Sequence, residues 1–188
     1  MNRFALVLVG SLALCCAPLL AQAPPAAATS APLAAATSAP STADSIKQTY
    51  NNVKNNLLKA ADKMPDDAYA FKPTPEVRNF GGWVAHLADA QTAGCSRVNG
   101  NPQAPSASSK TTKADLVAAL KASFDICDTA YNGLTDANSN DTVQTFRGPS
   151  TRLAALAGNL SHDTEGYGAM AVYLRLKGIV PPSSEPRR

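Results

Sequence analysis

Four stretches of the chain place apolar side chains at alternating steps of three and four residues, the period of a helix with one buried face. The first runs Ile46, Tyr50, Val53, Leu57, Ala60, Met64 and opens near Ser41, where Ser41 and Asp44 form a capping pattern. Pro65 closes it, and the Pro-containing stretch to Arg78 reads as an ordered loop. The second helix begins near Asn79, a good N-cap, with Trp83, Leu87, Gly94 and Val98 near one face and Val84, Gln91 and Cys95 on an adjacent row. Gly100-Asn101-Pro102 stops it, and the Ser/Pro-rich connection to Lys110 reads as exposed. The third opens at Thr112 and steps through Leu116, Leu120, Phe124, Cys127, Tyr131 and Leu134. Asp136–Pro149 is polar and breaks the helical pattern, and no hairpin is read into it. The fourth starts near Ser150 and carries Leu153, Leu156, Leu160, Asp163, Tyr167, Met170 and Leu174. Beside that row run His162, Gly166, Ala169, Tyr173 and Leu176. Gly178, followed by Pro181, ends it, with Arg175 and Lys177 in the last turn. The expected fold is all-α: an antiparallel four-helix bundle over residues 42–183, with a disordered tail at 184–188.

The chain before residue 42 has a different character. Arg3, the apolar run Phe4–Leu14 and Ala21-Gln22-Ala23 make residues 1–23 a secretory signal peptide. Leu14 precedes Cys15 where a lipoprotein would need a small residue, so cleavage without lipid attachment is expected. Residues 24–41 repeat AAATSAP and hold four prolines, too little apolar surface to offset chain entropy, and are expected to be a disordered tether. The mature protein is then periplasmic or secreted, with no stable membrane insertion after signal cleavage.

Roughly 145 residues remain for the folded part, enough for one domain and too few for two. The formal net charge is +3, or +2 without Arg3, and the basic residues are scattered. This balance excludes a strongly basic nucleic-acid binder and an acidic disordered chain. No phosphate-binding loop, dinucleotide fingerprint or nucleophile elbow is present.

Two cysteines stay in the mature chain, Cys95 and Cys127, both on inward helical faces. In an oxidising compartment they are expected to form a disulfide; the alternative is two buried thiols acting as small apolar residues. Closing a loop of about thirty residues would stabilise the fold by roughly 3–4 kcal/mol. The chain has two histidines, His86 on the shoulder of the second helix and His162 on the second row of the fourth. Singly, each reads as a boundary residue. Together, on facing helices, they make a metal site conceivable.

The segments Ala61–Pro65, Phe80–His86, His162–Gly168 and Tyr173–Pro182 resemble the DinB/YfiT-like family, over nearly the whole of residues 42–183. The layout is similar to exported members that carry one cysteine in the second helix and one in the third. The resemblance implies a four-helix bundle, a possible homodimer, and a divalent ion, zinc or nickel, held by three histidines. One of these comes from the second helix and two from an H-x-x-x-H pair on the fourth. His86 and His162 match two of the ligands. The third ligand position falls on Gly166, which has no side chain. Glu165 or Asp163 could substitute, and Asp163 could instead orient one of the histidines from behind. Gly166 could leave a cavity where a ring would have been, and a histidine placed there would restore an i, i+4 pair with His162. Two functions follow. One is an exported, non-catalytic binding or interaction module with a degenerate metal site, its ion weakly bound or absent. The other is a divalent-metal-dependent hydrolase or transferase acting on a small molecule through His86, His162 and a carboxylate. Some members of the family are thiol transferases using cytosolic thiols, which export sets apart from this chain.

Overall fold

The structure, a computed structural model, describes residues 39–186; the expected signal peptide and nearly all of the expected tether lie outside the described residues. Each helix begins where the polar punctuation places it. α1 (Thr42–Lys63) is capped by the Ser41 side chain, which accepts from the Asp44 N–H. α2 (Phe80–Val98) is capped by Asn79, which accepts from Gly82. α3 (Lys113–Asn132) is capped by Thr112, which accepts from Asp115. α4 (Arg152–Leu176) is capped by Thr151, one residue beyond the expected start. At the far end of α4, Gly178 takes φ +71°, and the Ile179 N–H reaches back to the Leu174 carbonyl at 2.9 Å, a left-handed stop that favours glycine.

The apolar stripes of the helices meet in one core. Tyr50, Leu57, Leu87, Phe124, Tyr131, Leu156, Met170 and Leu174 are fully buried, and the Tyr50 and Tyr131 rings stack with centroids 3.7 Å apart. The Cys95–Cys127 disulfide is present and buried, tying α2 to α3. α2 packs along α3 and α4, and α1 packs along α4 and α3, so α1 and α2 stand diagonally opposite.

The helices do not alternate in direction as a simple antiparallel bundle would. Lys113 at the start of α3 bonds the Asp62 carbonyl near the end of α1, and Ala43 at the start of α1 donates to Asp136 just beyond α3, so these two run oppositely. Gly81 at the start of α2 faces Leu116 at the start of α3, and the disulfide joins their later turns, so α2 and α3 are parallel. Tyr173 late in α4 donates to the Arg78 carbonyl just ahead of α2, so α4 opposes α2. The order is up, down, down, up. The α2–α3 connection must therefore climb back along the bundle. It is pinned to α2 on the way: Gln103 N–H donates to Ser96 Oγ, and the Ala107 and Ser108 N–H groups donate to the Asp89 carboxylate at 2.6 and 3.0 Å.

Two further expectations are corrected. The polar stretch after α3 contains an antiparallel hairpin, β1 (Thr142–Thr145) and β2 (Gly148–Thr151), with Thr142 opposite Thr151 and Thr145 opposite Gly148. Val143 is its buried anchor, on the strand that packs against α2 and α4. The tail is fastened as far as Glu185: Pro182–Ser184 form a 3-10 turn, the Ser183 N–H donates to Tyr167 Oη, and Glu185 pairs with Lys63 at 2.5 Å. No helix among the described residues is long and apolar enough to cross a membrane.

Candidate functional site

His86 lies in the second turn of α2 and His162 in the third turn of α4, both half-buried, and the antiparallel crossing of these helices brings the two rings together. Their Nε2 atoms are 3.0 Å apart, with ring centroids at 4.9 Å and planes inclined by 63°. Two imidazole nitrogens sharing one tetrahedral ion at about 2.0–2.1 Å would stand roughly 3.3–3.4 Å apart, a few tenths of an ångström wider than this contact. The same approach is also a hydrogen bond when one ring carries a proton on Nε2 and the other does not.

The surroundings decide which ring holds the proton. Asp163, next to His162, raises the proton affinity of that ring against the opposing effect of burial. His86 is pushed the other way, first by burial, then by the Arg78 guanidinium and by His162 itself. When one ring of the pair is protonated, His162 is therefore the favoured site, and its Nε2–H then donates to His86.

Asp163 interrupts the apolar row of α4 and is fully buried. Its Oδ2 accepts from Gln91 Nε2 at 3.2 Å, and Gln91 Oε1 accepts from Ser123 Oγ at 2.6 Å, a polar column running from α4 through α2 to α3. Burial raises the Asp163 carboxyl above the ordinary range, against the opposing influence of His162 and Gln91. Asp163 Oδ1 has no hydrogen-bond partner, nor does His162 Nδ1, and the two stand 3.9 Å apart. That separation is too long for a hydrogen bond and short enough for charge attraction. Asp163 thus sits behind His162, in the place of a group that orients a ring rather than of a ligand beside Nε2. The buried hydroxyls of Tyr50 and Tyr131 bond the Asp128 carboxylate and the Leu156 carbonyl rather than Asp163.

The expected cavity at Gly166 is absent. A Cβ built there would fall 2.5 Å from Leu87 Cδ2, 2.9 Å from Cδ1 and 3.1 Å from Cγ. Leu87 is 0% exposed and fills the space that a side chain at 166 would need. Gly166 is therefore a seat for Leu87 at the α2–α4 crossing rather than a vacant ligand position. Glu165 is exposed and contributes only its charge, which raises both histidines. Among the described residues, no three of His, Cys, Asp and Glu come together in an arrangement able to hold a metal. The donor set fits two imidazole ligands and does not fit the three-ligand centre.

Beside His86 a cleft of about 480 Å³ opens to solvent, lined by Lys72, Arg78, Asn79, Gly82, Asp89 and Ser108 among others. Sequence reasoning missed it because its walls come from the loop before α2 and from the connection that climbs back along α2. The one local hint is Arg78-Asn79 directly ahead of the helix that carries His86.

The fold and site define a four-helix bundle with an interhelical histidine pair. A family model described as the DinB superfamily matches residues 49–169, and the chain belongs to that superfamily. Among solved structures, a DinB-like protein of Bacillus cereus superposes with TM-score 0.64 at 16% identity, covering 74% of this chain and 95% of that one. A DinB-like protein of Bacillus subtilis gives TM-score 0.60 at 21% identity, covering 77% and 99%. A conserved protein of Enterococcus faecalis gives 0.57 at 16%, covering 73% and 98%. A search of curated proteins returns no match. At these identities the likeness to solved structures concerns the fold alone.

Proposed function

We propose that this chain is an exported, non-catalytic member of the superfamily, a binding or interaction module in which a three-histidine metal site is reduced to a pair. The observation that carries this reading is the His86–His162 contact at 3.0 Å, with Leu87 seated on Gly166 where a third ligand would project. Two imidazoles alone hold a divalent ion weakly, because stable zinc sites use at least three protein ligands. A buried disulfide between α2 and α3 supports residence in an oxidising compartment. Pairing of two copies belongs to the same reading: Val172 and Leu176, one turn apart on α4, are 50% and 56% exposed. Light scattering on the mature protein tests that assembly. Metal titration of the parent, His86→Ala and His162→Ala tests the site, with weak binding expected in the parent and none in either variant.

One observation supports a second reading, a divalent-metal-dependent hydrolase or transferase of a small molecule. The orphaned Asp163 Oδ1 and His162 Nδ1 are arranged as a carboxylate is behind a metal-bound histidine. Under that reading His86 and His162 would hold the ion, which would act as a Lewis acid, and Asp163 would fix the orientation of His162. Stoichiometric, tight metal binding by the parent would favour it.

A further inference from the structure

We propose that the cleft beside the start of α2 binds a small organic anion, a carboxylate or a phosphate, with Arg78 and Lys72 as its charged contacts. This rests on the binding-module reading and names the class of ligand.

The cleft volume, about 480 Å³, lies within the roughly 300–1,000 Å³ of small-molecule sites. Its charge balance is cationic, with Lys72 and Arg78 against one carboxylate. Asp89 is the carboxylate in the lining, and both its oxygens are committed to the Ala107 and Ser108 N–H groups. Arg78 has no carboxylate within ion-pair reach among the described residues; its guanidinium lies over the Trp83 ring, 5.1 Å from the centroid. Lys72 Nζ bonds only the Pro75 carbonyl, at 3.0 Å, which leaves two of its three donors for a ligand. Asn79 presents its amide N–H₂, since its Oδ1 is taken by the Gly82 N–H.

The start of α2 does not itself supply the binding groups. Its first N–H groups are all satisfied within the protein: Phe80 by the Phe71 carbonyl, Gly81 by Tyr69, Gly82 by Asn79 Oδ1 and Trp83 by the Asn79 carbonyl. The anion must therefore be held by side chains, and these are prepositioned. The Tyr173 hydroxyl donates to the Arg78 carbonyl at 2.5 Å, and the Trp83 ring backs the guanidinium, which lowers the ordering cost of binding. Gly82 lines the cleft without a side chain, and a Cβ there would press on the capping Asn79 Oδ1 at 2.8 Å. Val77, 41% exposed, offers an apolar wall, so an anion with a short hydrocarbon or aromatic portion fits better than a bare ion.

The experiment titrates the mature chain, in chelator to remove metals, with benzoate, phenyl phosphate, acetate and inorganic phosphate, following backbone amide shifts by NMR. Saturable shifts at Gly82 and Ser108 are expected with an organic probe, weakening as salt is raised. Which organic probe binds more tightly assigns the head group as carboxylate or phosphate. Arg78→Gln is expected to weaken binding by about tenfold, Lys72→Gln less, and the exposed control Lys59→Gln not at all. No shift at Gly82 and Ser108 with any probe overturns the proposal, as does an unchanged affinity in Arg78→Gln. Equal binding of bare and organic ions, meaning an adventitious ion only, also overturns it. Because metals are chelated throughout, failure here leaves the histidine-pair reading standing; that reading fails only in the metal titration.

Discussion

Three glycines in α4 allow a test in which one substitution has opposite effects along one helix. Gly158, Gly166 and Gly168 are all helical, and each costs up to about 1 kcal/mol relative to alanine. A Cβ at Gly158 or Gly168 would meet nothing within 4 Å, so Gly158→Ala and Gly168→Ala are expected to stabilise the protein by about 0.5–1 kcal/mol each. At Gly166 the same methyl would approach three Leu87 carbons at 2.5, 2.9 and 3.1 Å. Leu87 cannot escape into solvent, being 0% exposed, and must distort within a closed core. Overpacking of this kind costs about 1–3 kcal/mol, which exceeds the gain in helix propensity. Gly166→Ala should therefore destabilise by about 0–2 kcal/mol. Urea unfolding with the disulfide intact measures all three variants on one scale. A coupling between Leu87→Ala and Gly166→Ala, in which the pair costs less than the two single changes together, would identify Leu87 as the obstacle. If Gly166→Ala stabilises as much as Gly158→Ala, the Leu87 seat does not exist.

Further expected outcomes concern the staple and the protons. Reducing the Cys95–Cys127 bond, which spans 32 residues, should lower stability by about 3–4 kcal/mol; matching urea midpoints with and without reductant would contradict this. In a histidine NMR titration His162 should take up its proton at higher pH than His86, and Asp163→Asn should lower the His162 midpoint while moving His86 less. Because the folded-state proton affinity of His162 is raised, its stabilisation is complete below about pH 6.5 and is lost as pH climbs through its folded value. His86 acts with the opposite sign, its contribution being lost as pH falls through its depressed value. A His86 midpoint above that of His162 would reverse the assigned donor and acceptor.

Much of the bundle is legible in the chain because its signals are local. The stripe from Leu116 to Leu134 is buried at every position, and the caps at Ser41, Asn79 and Thr112 all form. The stripe of α4 is less faithful at its end, where Leu176 is 56% exposed beyond the last helical packing. The hairpin was hidden because four-residue strands containing Pro149 and mostly polar residues carry little periodicity. Helix direction was hidden because the composition of the connection at 99–112 does not reveal that it climbs back along α2. The convergence of His86 and His162 could be anticipated from helical rows, whereas the seat of Leu87 on Gly166 is a contact between residues 79 positions apart, fixed only by the helix crossing. The cleft is likewise a product of loops, assembled around Arg78 and Asp89 by tertiary packing.

Calorimetric titration with zinc most directly tests the central claim that the histidine site is a pair closed by Leu87. The parent should give a shallow isotherm with no sharp equivalence point, abolished by His86→Ala or His162→Ala. Gly166→His alone should do little for affinity, because Leu87 occupies the space the imidazole needs. Leu87→Ala combined with Gly166→His opens that space and restores the i, i+4 pair with His162, and should turn the isotherm steep and one-to-one. A parent that already binds one zinc tightly, with no improvement in the double variant, would contradict the account and point to a third ligand other than position 166.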